Sequence, residues 1–183
     1  MSEGHAMDFT AAHTAPHAHP APEARAKRVV VLALGNDILC DDGVGLFAAR
    51  ALRERYGDRA EIIETGEAGL ALLELLEGYD AALILDATVT GKHPVGTVLE
   101  FAPEDFAVVR APSPHYAGLP EVLDLARRMH LNFPRQIVIL ALEVEDPFTV
   151  HEGLTPATAA AFPRFVAEAE RRLQELLATA KDA

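Results

Sequence analysis

The sequence predicts a three-layer α/β sandwich, in which a twisted, mostly parallel sheet of about five strands carries helices on both faces. Short, continuous apolar runs such as Val29–Leu34 are typical of strands that are buried on both sides. Segments with apolar residues at helical spacing alternate with these runs, which favours a doubly wound sheet. Half of the 183 residues are hydrophobic, which is enough for one packed core.

Each element follows from apolar spacing and from the residues that interrupt it. Strands are predicted at Val29–Leu34, Glu61–Glu64, Ala81–Asp86, Val95–Phe101 and Gln136–Val144. Helices are predicted over 44–57, 70–78, 119–129 and from 155 onward. Alternation in Val95–Phe101 indicates a half-exposed or edge strand, whereas the other runs are more continuously apolar. Thr155 and Pro156 are typical of an N-cap and first helical residue, and Pro163 is expected to reset the last helix.

The N-terminal segment differs from the rest in composition. Residues 1–27 are rich in Ala, Pro and His, so we expect a disordered tail followed by a single α/β domain over 28–180. The tail does not have the pattern of a secretory signal. Its four histidines allow loose metal binding, although a merely solvated tail is the simpler interpretation.

Charge and cysteine content exclude several classes of partner. With 16 basic and 28 acidic residues the net charge is −12, which argues against nucleic acid or an anionic membrane as a partner. The single cysteine, Cys40, cannot form an internal disulfide, and its acidic neighbours disfavour a reactive thiolate. No apolar run reaches the ~18–20 residues of a membrane span. We therefore expect a cytoplasmic protein, and a monomer.

The candidate site lies where the predicted strands end, because ligands of open α/β sheets bind beyond the carboxyl ends of the strands. The acidic and imidazole residues expected at that edge are Asp37, Asp41, Asp42, Glu64, Glu67, Asp86, His115, Glu143 and Glu145. Almost no lysine or arginine is expected there, which indicates a cation site and not a phosphate site. Asp42, Asp86 and His115 each follow or end a different strand, and together they can bind a divalent metal with open positions.

Each of these residues also has a structural interpretation. Asp41 or Asp42 is suited to cap the helix that begins near Gly43. Asp86 is able to hydrogen-bond a neighbouring loop, and His115 to be a satisfied loop histidine. The occurrence of all three metal-competent residues at one edge favours a site.

Four segments, in the same order, resemble motifs of the hydrogenase maturation endopeptidases: VVVLALGNDILCDDGVG, ETGEAGLALLELLEGYDAALILDATV, PSPHYAGLPEVL and LTPATAAAFP. They are similar to the family's first strand and GN…D(D/E)GxG loop, its glycine loop and Asp-bearing strand, its histidine loop and the start of its final helix. The resemblance extends from Val29 to Leu177. One departure is Asp42, where some members have Glu, and the N-terminal tail is not explained by the family.

The resemblance implies an aspartic-type or metal-dependent endopeptidase that removes the C-terminal extension of a [NiFe] hydrogenase large-subunit precursor. It implies that Asp42, Asp86 and His115 are the metal ligands and catalytic residues. The metal would be nickel already inserted in the precursor, so that no permanent cofactor is expected. Asp41, by adjacency, is the first candidate for a general base.

Three alternatives stay open at this point. A phosphorylatable receiver domain also has an acidic pair after its first strand and an Asp ending its third, but the last predicted strand here ends in Glu143 and Glu145 and not in lysine. A metallopeptidase with its own zinc is the second alternative. A chaperone that binds the hydrogenase subunit without cutting it is the third, because gripping a metal and cutting beside it need the same ligands.

Overall fold

The computed structural model describes residues 28–103, 105 and 119–179. The predicted tail at 1–27, His115 and residue 180 lie outside this part of the chain. The strands are β1 (Val29–Leu34), β2 (Glu61–Thr65), β3 (Ala81–Thr88), β4 (Val98–Phe101) and β5 (Gln136–Glu143). The helices are α1 (Val44–Tyr56), α2 (Ala71–Leu76), α3 (Leu119–Arg128) and α4 (Pro156–Thr179), with a short 3-10 helix at Cys40–Gly43 before α1.

The strands form one sheet in the order β2-β1-β3-β5-β4. All neighbours are parallel except β4, which runs antiparallel to β5 at the sheet edge. The predicted mostly parallel sheet and the edge position of the alternating segment are therefore confirmed. This strand begins at Val98 and not at Val95, because Gly96 adopts φ +88°, outside the extended region, and the Thr97 amide closes a turn on the Pro94 carbonyl oxygen at 3.1 Å.

Two apolar cores lie on opposite faces of the sheet. Odd-numbered residues of β1, such as Val31, pack with α1 and α4, whereas even-numbered residues, such as Leu32, pack with α2 and α3. Every residue of β1 is buried, as the continuous apolar run predicts. Helices therefore cover both faces, which confirms the three-layer sandwich.

The last helix is more regular than the sequence predicts. α4 continues without interruption through Pro163, contrary to the predicted reset. Pro163 is exposed, while Phe165, Ala169 and Leu173 bury the opposite side of the helix in the core, and this packing outweighs the loss of one backbone hydrogen bond. None of the helices in the described residues is long and apolar enough to cross a membrane.

Candidate active site

The connection from β1 to α1 places two acidic residues at the carboxyl edge of the sheet. The chain turns sharply at Gly35, which has φ +141°. A β-carbon at this position would lie 2.1 Å from the Asp42 carbonyl oxygen, so only glycine allows the loop to fold back this closely. The Gly35 amide also donates to the Thr65 carbonyl oxygen at 3.1 Å, which ties the loop to the end of β2. Asp42 is thereby held beside the ends of β1 and β2.

One open cleft of about 650 Å³ lies at the carboxyl edge, next to Asp42 and the end of β3. Asp42 is partly exposed and lines the cleft. Asp86 is fully buried near the end of β3, where its Oδ1 accepts a hydrogen bond from the Ala87 amide at 2.7 Å. The next two residues, Ala87 and Thr88, line the cleft. Two of the three predicted metal ligands thus lie at the same edge of the sheet, Asp86 in β3 and Asp42 in the 3-10 helix that follows the neighbouring strand β1.

The third predicted ligand, His115, lies outside the described residues. Among the residues that the structure describes, no group of three or more His, Cys, Asp or Glu side chains is arranged to hold a metal ion. A set of two carboxylates needs a further donor from elsewhere before it binds a first-row metal firmly. The ligand set of Asp42, Asp86 and His115 stays a prediction.

Asp41 is fully buried and accepts hydrogen bonds from the connection between β5 and α4. The donors are the amides of Glu145, Asp146 and Thr155 at 3.1, 3.0 and 2.7 Å and the hydroxyls of Thr155 and Thr158 at 2.9 and 2.8 Å. These donors satisfy the carboxylate from several directions. The contacts indicate that Asp41 positions the loop that follows β5.

The expectation that an acidic residue caps the first helix is not met by Asp41. The residue at the N-cap of α1 is Gly43, and no side chain caps that end. Asp41 instead bonds the residues that begin α4, where Thr155 is the N-cap that the sequence predicts: its Oγ1 accepts the Thr158 amide at 3.4 Å. Spacing along the sequence does not reveal this arrangement, because Asp41 and Thr155 are 114 positions apart.

Arg50 of α1 lines the cleft, where the sequence predicts almost no basic residue. The Arg50 guanidinium donates to Asp37 and to Glu64, each at 2.8 Å, and Arg53 donates to Glu64 at 2.5 Å. Hydrogen bonding to Asp37, followed by that to Glu64, raises the pKa of Arg50, so it remains charged. The negative charges of the two carboxylates are balanced by the positive charges of the two guanidiniums. Asp37 and Glu64 are therefore poor candidates for cation ligands, and the spacing of Arg50 and Arg53 on one helix face is the signal that reveals it.

Two further residues of the predicted edge have structural roles. Glu143 is buried and accepts hydrogen bonds from the Thr90 amide, the Thr90 hydroxyl and the Gly91 amide at 2.7–2.8 Å. It thereby holds the connection from β3 to β4. Cys40 is also buried, and burial, followed by the charge of Asp41, raises the pKa of its thiol. This agrees with the prediction that Cys40 is not a nucleophile.

Comparison with known proteins identifies the family of this chain. Residues 47–172 match the family model described as hydrogenase maturation protease. The chain belongs to the hydrogenase maturation protease family. It is therefore a hydrolase of the peptidase class that takes part in hydrogenase maturation, and the receiver-domain alternative no longer applies. The matched segment includes Asp86 and His115 and begins after Asp41 and Asp42.

Individual members of the hydrogenase maturation protease family support the assignment. The chain is 34% identical over 137 residues to the hydrogenase 2 maturation protease of Escherichia coli K12, which covers 73% of this chain and 82% of the relative. Among solved structures, the hydrogenase maturating endopeptidase HybD from E. coli superposes with a TM-score of 0.69 and 32% identity, over 81% of this chain and 93% of that one. A [NiFe] hydrogenase maturation protease HybD from Thermococcus kodakarensis superposes with a TM-score of 0.62 and 27% identity, over 79% of this chain and 97% of that one.

Proposed function

We propose that this protease removes the C-terminal extension of a [NiFe] hydrogenase large-subunit precursor after nickel insertion, and that it recognises the nickel carried by that substrate. The observation that carries the proposal is one open cleft at the carboxyl edge of the sheet, which Asp42 lines and whose wall includes Ala87, the residue that follows the buried Asp86. Carboxylate oxygens and an imidazole from His115 suit transient capture of nickel, because this donor set leaves coordination positions for the substrate's own ligands.

The cleft supports this function in its shape as well as its charge. It is open to solvent along the ends of β1, β2 and β3, so a segment of polypeptide can enter from the side. Gly66, which has no side chain, forms part of its wall beside the end of β2. A substrate backbone can approach closely at this point.

The chemistry is hydrolysis of one peptide bond. Water adds to the scissile carbonyl carbon, the carbon–nitrogen bond breaks, and the amine leaves with a proton while a new carboxylate forms. The residues of this chain would hold the nickel-bearing segment so that the scissile bond lies next to Asp42 and Asp86. Asp41 is the general base predicted by adjacency, but its hydrogen bonds to the loop after β5 favour a positioning role.

The experiment is to mix the protease with its cognate large-subunit precursor, with and without nickel, and to record intact masses. Loss of a single C-terminal peptide from the nickel-loaded form alone is the expected result. Cleavage regardless of nickel would remove the metal-recognition part of the proposal. Absence of cleavage would favour the chaperone alternative, and zinc that copurifies in stoichiometric amount would favour the conventional metallopeptidase.

A matched pair of variants tests the site itself. Asp86→Asn keeps the size of the side chain and removes its charge, and we expect it to slow cleavage about a thousandfold or more while the circular dichroism spectrum is unchanged. Asp37→Asn is the control, because Asp37 lines the same cleft but is paired with Arg50. Equal rates for Asp86→Asn and the wild type would show that the assignment of Asp86 is wrong.

A further inference from the structure

Exposed apolar side chains are concentrated at the edge of the sheet that carries the cleft. In the described part of the chain, the well-exposed large apolar residues are Ile38, Leu70, Val89, Val95, Met129, Phe148 and Val150. All of these except Met129 lie on connections at the carboxyl edge. We call Ile38, Leu70, Val89, Phe148 and Val150 the apolar rim. Phe148 and Val150 leave 76% and 78% of their surface in contact with water, which is unfavourable unless a partner covers them.

Hydrogen bonds hold the apolar rim in place. The Cys40 amide donates to the His151 carbonyl oxygen at 2.8 Å, and the His151 amide donates to the Ile38 carbonyl oxygen at 3.1 Å. Asp146 Oδ1 accepts the amides of Phe148 and Thr149, both at 3.0 Å. The loops after β1 and β5 are therefore joined, and Phe148 is held outward from the core. A surface that is ordered before binding loses less conformational entropy when a partner docks.

The charges around the apolar rim are predominantly acidic. The segments 35–43, 64–70 and 145–155 contain neither lysine nor arginine, whereas the connection that carries Val89 contains one exposed base, Lys92. Glu67, Glu145 and Glu152 are exposed on these segments. Arg50, which reaches the cleft from α1, is already paired with Asp37 and Glu64. A partner that fits this surface is apolar at its centre and basic at its border.

We propose that the apolar rim is the docking surface for the substrate protein, and that it binds an apolar patch bordered by lysine or arginine on the hydrogenase precursor. This inference rests on the proposed function, since it places the recognised protein around the cleft where its extension would be cut. Phe148 and Val89 line both the cleft and the rim, so one partner can occupy the two together. Two copies of this chain, each with a net charge of −12 and acidic residues at the same edge, would repel each other.

The test separates docking from cleavage by measuring binding in an Asp86→Asn background. The cognate precursor is titrated against Asp86→Asn and against the same protein with Phe148→Ser and Val150→Ser. We expect the rim substitutions to raise Kd about 30-fold, as for central apolar contacts of an interface. Met129→Ser in the same background is the matched control, because Met129 is 56% exposed at the opposite edge, and its Kd should be unchanged.

A second arm tests the border charges. Glu67→Gln, Glu145→Gln and Glu152→Gln together should reduce the association rate and flatten its dependence on salt between about 0.05 and 0.5 M. The docking proposal is overturned if the rim substitutions leave Kd unchanged, or if sedimentation shows that they dissociate a homodimer without altering precursor binding. The proposed function has its own test, because wild-type protease that binds through the rim but does not cut would contradict cleavage and not docking.

Discussion

The connections between strands and helices differ at the two edges of the sheet. At the amino edge the connections before β2 and β3 are short, and hydrogen bonds near solvent join the starts of β1 and β3: Asp80 accepts the Arg28 amide at 2.7 Å, and its own amide donates back to the Arg28 carbonyl oxygen at 2.8 Å. At the carboxyl edge the connections are longer, and they are held by buried carboxylates whose donors lie far away in the sequence. The carboxyl edge also exposes Phe148 and Val150, whereas Met129 is the exposed large apolar residue described at the amino edge.

This difference indicates that the two edges of the sheet have different roles. The amino edge completes hydrogen bonds around the starts of the first and third strands, and Met129 is the large apolar residue that it exposes among the described residues. The carboxyl edge combines ordered loops, an excess of acidic residues and exposed apolar surface around a cleft. This combination is expected of a site that binds another protein. Substitutions at the two edges should therefore affect stability and activity in different proportions.

The largest effect is expected for Asp41→Ala. It leaves several buried donors of the loop after β5 without their acceptor, and we expect a loss of about 3–5 kcal/mol in the free energy of unfolding. Denaturant unfolding measures this loss. Asp37→Ala, on the same loop but in a half-exposed ion pair, is the control and should cost less than about 1 kcal/mol. Equal losses for the two variants would contradict the special role of Asp41.

Gly35→Ala should have the next largest effect. A β-carbon would overlap the Asp42 carbonyl oxygen, and φ +141° is unfavourable for any residue with a side chain, so we expect a loss of about 3 kcal/mol together with slower cleavage. Gly91→Ala is the control, because φ is +66° there but no atom lies within 4 Å of the added carbon. We expect it to cost about 1 kcal/mol and to leave the cleavage rate unchanged. Similar rates for the two variants would show that the position of Asp42 does not depend on this turn.

Asp80→Ala, at the amino edge, should have a smaller effect of a different kind. It removes the acceptor of the Arg28 amide, which is close to solvent, and we expect a loss of about 1 kcal/mol. The values of kcat and KM for the precursor should match those of the wild type. Asp58→Ala, at an exposed position in the turn before β2, serves as the reference for removal of a surface charge. A change in KM for Asp80→Ala would contradict the conclusion that the amino edge does not contribute to substrate binding.

The smallest effect is a local dependence on pH at the carboxyl edge. Hydrogen bonds from Thr149 and from the Phe148 amide lower the pKa of Asp146 below its usual value of 3.8. The pKa of Asp146 is therefore lower in the folded state than in the unfolded state. The stabilisation from its charged form is present at pH values above the unfolded-state pKa and is lost as the pH falls through the folded-state pKa. Protection of the Phe148 and Thr149 amides from hydrogen exchange should therefore weaken in acid. Asp146→Asn should show no such dependence, and a parallel decline in both proteins would contradict this origin.

How far the sequence predicts this molecule depends on the range of the interaction. Burial of β1 on both faces, the edge position of β4 and the N-cap at Thr155 all follow from residues that are neighbours in the chain. The extent of β4 was harder to predict, because alternation continues to Val95 whereas Gly96 turns the backbone. The strand order and the antiparallel direction of β4 depend on pairing across the whole sheet, which periodicity does not encode.

The sequence by itself determined the class of the fold, and it predicted a candidate site of acidic residues at the carboxyl edge of the sheet. It did so because apolar periodicity reports burial, and because parallel strands present their carboxyl ends at one edge. Only the tertiary structure decided which carboxylates are already engaged: Asp41 by the loop after β5, Glu143 by the loop after β3, and Asp37 and Glu64 by arginines of α1. The partners of Asp41 and Glu143 are brought together by the topology of the sheet, so no local pattern reveals them, whereas the spacing of Arg50 and Arg53 on one helix face does indicate the pairing of Asp37 and Glu64.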